Sequence, residues 1–274
     1  MVILTLFTKA YNKGQIKQIE MSLQTTFEDL DAQIQILNNT TTNQWIKVKV
    51  TGEDESVAKS YITKQIGTCP TSLEEVSAGT ELKGYIQKID ATEKLTIDIG
   101  ISEPKTVYAH IPLTTLQTHL LDGKEVTLKK LAEMFALSAN LPVSIKINNI
   151  HTVEGIIEAE FSTVQIEMFK NWQNSLLDRL VILGITNDDV TLTLERTRLT
   201  RDIINTESLG LFEQVLTCKL GTDAAGLIPR IGRYMRNARF VVFNPKKLDC
   251  NCQVTTQQNT ETTYTNTAIH TTPI

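Results

Sequence analysis

The chain switches between two hydrophobic periods, and each switch marks an element. Val2–Thr8 is an unbroken β-rich run and predicts a buried strand. Ile16, Ile19, Leu23, Phe27 and Leu30 then recur at three- and four-residue steps, which puts one apolar stripe on a helix. Ile34–Leu37 reads as a short strand, and residues 38–43 are turn chemistry of Asn and Thr. Trp45–Val50 alternates like a half-exposed strand that stops at Gly52. Glu53, Asp54 and Glu55 stand at a helix start, where the macrodipole favours negative charge. Val57, Ala58, Tyr61, Ile62 and Ile66 form the stripe of that helix, and Gly67 ends it. The order βαββα predicts a small α+β unit over residues 1–78, with 68–78 as its link onward.

Three strand-like runs follow close together: Glu81–Ile89, Leu95–Gly100 and Thr106–Leu113. A helix is predicted over Lys124–Leu137, then strands over Val143–Ile147 and Gly155–Phe161. That is the order of a five-stranded oligonucleotide-binding (OB) barrel, placed at 79–162. Gly84 inside the first strand marks a barrel corner. A third unit spans 163–247 and opens with a connecting helix over Thr163–Gln173. Strand Arg179–Leu183, a helix capped by Asn187 or Asp188, strands Asp202–Ser208 and Leu211–Cys218, a helix from Thr222 or Asp223, and strand Arg239–Phe243 follow. The order βαββαβ is that of a ferredoxin-like sandwich. Residues 248–274 are rich in Thr, Asn and Gln, too polar to offset the entropy of ordering, and predict a disordered tail.

Two stretches carry a family resemblance. Gly79–Leu113 is one; Leu209–Asp223, continuing through Gly226-Leu227 and Ile231-Gly232, is the other. Together they resemble the archaeal DUF2110 family over most of residues 1–245. The resemblance implies an archaeal cytoplasmic protein and brings no activity with it. The barrel is also similar to the S-one type of RNA-binding OB domain. Leu95-Thr-Ile-Asp-Ile-Gly100 and Tyr108-Ala-His-Ile111 stand at that family's second- and third-strand signatures. The similarity implies a stacking role for Tyr108, with His110 at a position the family commonly keeps.

Charge divides the chain. The whole carries −4, so it is no polycation awaiting nucleic acid. Residues 1–169 hold 15 lysines against 21 acids, whereas 170–247 hold 12 cations against 8, and all eight arginines lie between Arg179 and Arg239. The two regions therefore present different surfaces. Met1–Phe7 lacks the basic flank and length of a signal peptide or membrane span, which favours a cytoplasmic protein. Cys69, Cys218, Cys250 and Cys252 form no secreted disulfide framework. Cys250-Asn-Cys252 has no partner ligands for zinc, so no metal or cofactor is expected.

The main candidate chemistry is a row of arginines. On a helix from Thr222, Arg230, Arg233 and Arg236 fall within an arc of about 120°, opposite Leu227, Ile228, Ile231, Tyr234 and Met235. Arg239 belongs to the next strand, and Arg196, Arg198 and Arg201 make a second cluster. Guanidinium forks bind phosphate oxygens, so the row suits a nucleic-acid backbone; the plain alternative is a solvated helix face. Tyr108 and His110 share one face of a barrel strand. Facing out they form a stacking platform; facing in they are core, which the lone aromatic favours. The chain has no phosphate loop, dinucleotide fingerprint, nucleophile elbow or metalloprotease pair, and Asp98 and Asp202 read as lone carboxylates. The expectation is a non-enzymatic protein that binds RNA or a ribonucleoprotein assembly. A protein-interaction or assembly factor and a ligand-sensing regulator are the alternatives.

Overall fold

The computed structural model describes residues 1–37, 44–89, 93–102, 105–151 and 155–248. The predicted turn at 38–43, the Cys250–Cys252 pair and all of the predicted tail except Leu248 lie outside these residues. Leu248 itself is buried against the barrel core.

The first unit follows the expected order: β1 (Val2–Lys9), α1 (Lys13–Thr26), β2 (Ala32–Leu37), β3 (Trp45–Gly52) and α2 (Glu55–Gln65). Its antiparallel sheet runs β1-β3-β2. Asn12 caps α1, its side chain accepting from the Gln15 N–H at 2.9 Å. Gly67 ends α2 at a φ of +87°, and its N–H donates to the Ile62 carbonyl. Ile19, Leu23, Ala58 and Ile62 bury the helix stripes against the sheet, while Val57 and Tyr61 stay exposed.

The middle unit is a closed barrel of β4 (Glu81–Ile86), β5 (Lys94–Asp98), β6 (Tyr108–Pro112), β7 (Pro142–His151) and β8 (Ile156–Phe161). Its order is β4-β5-β6-β8-β7, with β6 and β8 parallel, which is OB topology. Gly84 sits where a Cβ would stand 2.5 Å from Ile97 Cγ2 and 2.8 Å from the Asp98 carbonyl, the close approach a barrel corner needs. The helix expected at Lys124–Leu137 is present but shorter, as α4 (Leu128–Met134), and an unexpected helix, α3 (Leu113–Leu121), precedes it. Asp122 and Gly123, at φ of 52° and 82°, end α3, and Thr127 caps α4. The residues α3 buries, Leu116, Leu120 and Leu121, have helical spacing.

α5 (Thr163–Asn174) packs Phe169 and Trp172 into the barrel core and onto Phe243. The last unit comprises β9 (Arg179–Leu183), α6 (Asn187–Thr197), β10 (Ile203–Ser208), β11 (Glu213–Cys218), α7 (Ala224–Ile231) and β12 (Arg239–Phe243). Sheet order β10-β11-β9-β12, antiparallel throughout, is the ferredoxin-like arrangement. Thr186, not Asn187 or Asp188, caps α6, because its hydroxyl reaches the Asp189 N–H. One face of the sheet packs Leu180, Ile182 and Leu216 under α6 and α7. Val181, Leu183, Val215 and Phe243 on the other face join the barrel core. β9 and β11 are therefore buried on both faces; Leu180–Leu183 of β9 is a continuous apolar run, whereas β11 buries Glu213, Gln214 and Thr217 among its apolar residues.

Candidate nucleic-acid interface and the three-unit junction

α7 stops at Ile231, so Arg230 is on the helix and Arg233 and Arg236 are on the turns after it. Pro229 removes one helix N–H and Gly232 follows directly, which explains the short helix. The expected 120° arginine face on one helix does not exist, but two basic clusters do meet. The Arg196 guanidinium, on the last turn of α6, lies 4.7 Å from the Tyr234 ring centre, and that of Arg233 lies 4.8 Å from it. Arg230 Nη2 donates to the Thr197 carbonyl at 3.3 Å, which closes the gap between α6 and α7. Leu227, Ile231 and Met235 are buried beneath. Among the described residues none of these three guanidinium groups forms an ion pair.

The other arginines stand apart. Arg198 takes the left-handed position after α6, at a φ of 58°. Arg201 pairs with its own neighbour Asp202 at 3.6 Å, and Arg236 is exposed on its turn. Arg239 shares its face of β12 with Val241 and Phe243, the barrel side, and lines a chamber with Glu213. It is not part of the Arg196–Arg230–Arg233 group.

On the barrel, Ala109 and Ile111 point into the core, and Tyr108 and His110 point out, half-buried. The inward reading that the lone aromatic favoured is thus wrong: strand alternation sends the small and aliphatic residues inside. His110 Nδ1 lies 3.2 Å from Thr96 Oγ1, and Gln87 Nε2 donates to the Tyr108 hydroxyl at 3.4 Å. Burial, with Lys94 second, pushes the His110 imidazole below its ordinary range, so it is neutral near pH 7.

The same outer face continues to Asp98, and here the lone-carboxylate reading fails. Asp98 is fully buried under the first unit. Its Oδ2 accepts from Lys9 Nζ at 2.6 Å, and its Oδ1 from Trp45 Nε1 at 3.0 Å and the Gly100 N–H at 3.1 Å. Lys9 Nζ also lies 5.0 Å from the Trp45 ring and 5.6 Å from that of Tyr85. Phe7, Trp45, Cys69 and Tyr85 form the apolar part of this seam. The Tyr85 hydroxyl then donates to Glu213 Oε2 at 3.2 Å, which brings in the third unit. Burial raises the Glu213 carboxyl to about 7, and raises the Tyr11 and Cys69 groups as well. The sequence signal for this seam was a set of single charges, Lys9, Asp98 and Glu213, each set in an apolar β run of a different unit.

Comparison with known proteins divides the chain as the fold does. Residues 1–72 match the DUF2110 N-terminal domain, 76–173 the DUF2110 central domain and 177–243 the DUF2110 C-terminal domain. The chain belongs to the DUF2110 family. No curated protein matches it significantly. Among solved structures it is similar to uncharacterized protein MJ1198 from Methanocaldococcus jannaschii, at 12% identity, covering 32% of this chain and 96% of that one, with a TM-score of 0.23. A second is the a/eIF2alpha–aDim2p–rRNA complex from Pyrococcus horikoshii, at 12% identity, 45% and 64% coverage and a TM-score of 0.24. A third is the intact alpha subunit of aIF2 from Pyrococcus abyssi, at 9% identity, 61% and 96% coverage and a TM-score of 0.24. Such distant likenesses carry no functional argument. The stretch that carried the family resemblance, Leu209–Asp223, has a structural role in this DUF2110 chain. Leu211 and Phe212 insert into the core of the first unit, and Glu213 enters the seam. Among the described residues there is no cluster that could hold a metal and no helix long and apolar enough to cross a membrane.

Proposed function

We propose that this DUF2110 chain is a non-enzymatic cytoplasmic protein that binds RNA or a ribonucleoprotein assembly through the helical face of its last unit. The carrying observation is the convergence of Arg196 and Arg233 on Tyr234 beside Arg230, with no internal carboxylate neutralising them among the described residues. Forked donors held by ring contacts and a backbone carbonyl lose little freedom when they bind phosphate oxygens. Arg198 and Arg236 add exposed positive charge to the same unit. On the barrel, Tyr108 and His110 offer a smaller outward platform, and a neutral imidazole stacks on a base without a charge to desolvate. Filter binding of single- and double-stranded RNA across a salt series tests the reading. Replacing Arg196, Arg230 and Arg233 by Glu is expected to weaken binding by more than about tenfold and to flatten its salt dependence. Binding that ignores both salt and these substitutions rules the reading out.

One observation favours a second reading, docking of a protein partner in a large assembly. A groove of about 610 Å³ runs between α4 and β12, an edge strand of its sheet. Val241 and Val242 are half-exposed in it beside Lys129 and Lys130, and an open edge invites strand addition. Copurification of a partner that survives nuclease treatment selects this reading over the first.

A further inference from the structure

β12 is the last strand of its sheet and pairs with β9 on one side, so its other edge is open among the described residues. Val241 and Val242 are neighbours whose side chains point to opposite faces of the sheet, yet both line the groove of about 610 Å³ beside α4. The groove therefore follows the strand edge rather than either face. A second hollow, of about 330 Å³, shares Lys129, Glu133 and Val241 with the first and extends it over Ile89, Ala132 and Leu137. The first hollow is basic: Lys129, Lys130 and Lys247 line it against the single carboxylate of Glu133. An open strand edge of this kind is a template for another strand, and folded chains tend to cover it.

The course of the chain names the occupant. Lys247 lines the groove together with Val241 and Val242, so beyond Asn244 the chain has turned back alongside β12. Leu248, the last described residue, is buried against the barrel core, so the sequence that follows starts beside the groove. That sequence has a strand period: Leu248, Cys250, Cys252 and Val254 alternate with Asp249, Asn251 and Gln253. Its charge is also complementary. Residues 249–274 hold two acids, Asp249 and Glu261, and no lysine or arginine. We propose that residues 249–254 add to the open edge of β12 as an antiparallel fifth strand, with Cys250, Cys252 and Val254 turned into the groove. Six residues in a strand span about 20 Å, enough to cover the five-residue β12. Small apolar side chains suit a groove beside a helix, and cysteine behaves as one. The added strand occupies the edge that a partner's strand needs, so a partner docking there must first displace it. The arginine group around Tyr234 lies elsewhere, so this occupancy holds whether or not RNA binds.

Thiol labelling of the reduced full chain tests the proposal, with iodoacetamide as the probe and peptide mass spectrometry as the readout. Cys69 and Cys218 are buried in the folded units and serve as the internal reference. Cys250 and Cys252 are expected to react at least about tenfold more slowly than in the urea-unfolded chain. Asn251→Pro combined with Val254→Pro removes one N–H of each strand parity, and so one facing β12 in either register. Both positions lie beyond the three folded units. The pair is expected to return both cysteines to the unfolded rate and to speed hydrogen exchange at the β12 amides. Labelling of the wild type at the unfolded rate overturns the proposal and leaves the edge open to an outside strand. Protection that fades on about hundredfold dilution assigns the groove to the tail of a second copy, and overturns it as well. Protection that survives the proline pair, or β12 exchange that the pair leaves unchanged, rules out strand addition.

Discussion

At Glu213, desolvation outweighs every group that favours the ionised carboxylate. The Tyr85 hydroxyl, the Phe212 N–H and Lys9 all pull the pKa down, and burial still leaves it at about 7. The unfolded value is about 4.3. A raised carboxylate makes the folded state the better proton binder, so this contribution is complete at low pH and is lost as pH rises through 7. The full span is worth on the order of 3 kcal/mol. Urea unfolding of wild type and Glu213→Gln at pH 5 and pH 8 should show it, with the wild type losing stability toward pH 8 relative to the variant. Equal pH profiles refute the assignment. Lys9 and Asp98 form a buried ion pair, so removing one partner strands the other. Lys9→Met alone should cost about 3–5 kcal/mol by leaving Asp98 buried and unpaired. Adding Asp98→Leu should recover much of that loss, a coupling that a double-mutant cycle reads directly. The single charges were visible along the chain, but their pairing was not. Lys9, Asp98 and Glu213 lie far apart in sequence, and a single charge in a strand looks solvent-facing until another unit covers it.

At the scale of elements, the β10–β11 hairpin tip joins the units. Gly210 has no room for a side chain, since a Cβ there would meet Glu213 Oε2 at 2.2 Å. Phe212 is fully buried in the core of the first unit although it belongs to the last. Phe212→Ala should therefore cost about 3–5 kcal/mol. It should also loosen the first unit before the barrel, giving early proteolytic cleavage within residues 68–78 while the barrel remains resistant. Cleavage spread evenly over the chain would contradict this. The elements themselves were largely readable, because strands alternate and helix stripes repeat, and the barrel and ferredoxin-like orders followed. The misses have local causes. Leu113, Leu116, Leu120 and Leu121 have helical spacing but follow a strand with no side-chain cap at Pro112, which hid α3. α7 is shorter than its sequence pattern suggests, because the apolar positions continue through Met235, past Pro229 and Gly232. The meeting of Arg196 with Arg233 depends on how α6 lies beside α7, which no single-helix projection contains.

At the scale of the molecule, the charge division becomes a matter of faces. The last unit buries one side of its sheet on the barrel, so its cations can gather only on the side of α6 and α7 and at the rims. Residues 170–247 carry +4 beside a body of −6. Such a dipolar arrangement orients an approaching polyanion before contact, and the effect fades as salt shortens the screening length to about 10 Å at 0.1 M. If RNA is the partner, its association rate should fall steeply with ionic strength while its dissociation rate changes less. Reversing Arg196, Arg230 and Arg233 takes the net charge of 170–247 from +4 to −2. Stopped-flow association should then lose most of its salt dependence. Reversing Lys129 and Lys130, on the groove beside β12, shifts the charge by four units, against six for the arginines, on a different face and should leave the slope nearly intact. If both sets change the rate alike, RNA is responding to overall charge rather than to the face around Tyr234. The converging guanidinium groups would then be a way of fastening α6 to α7.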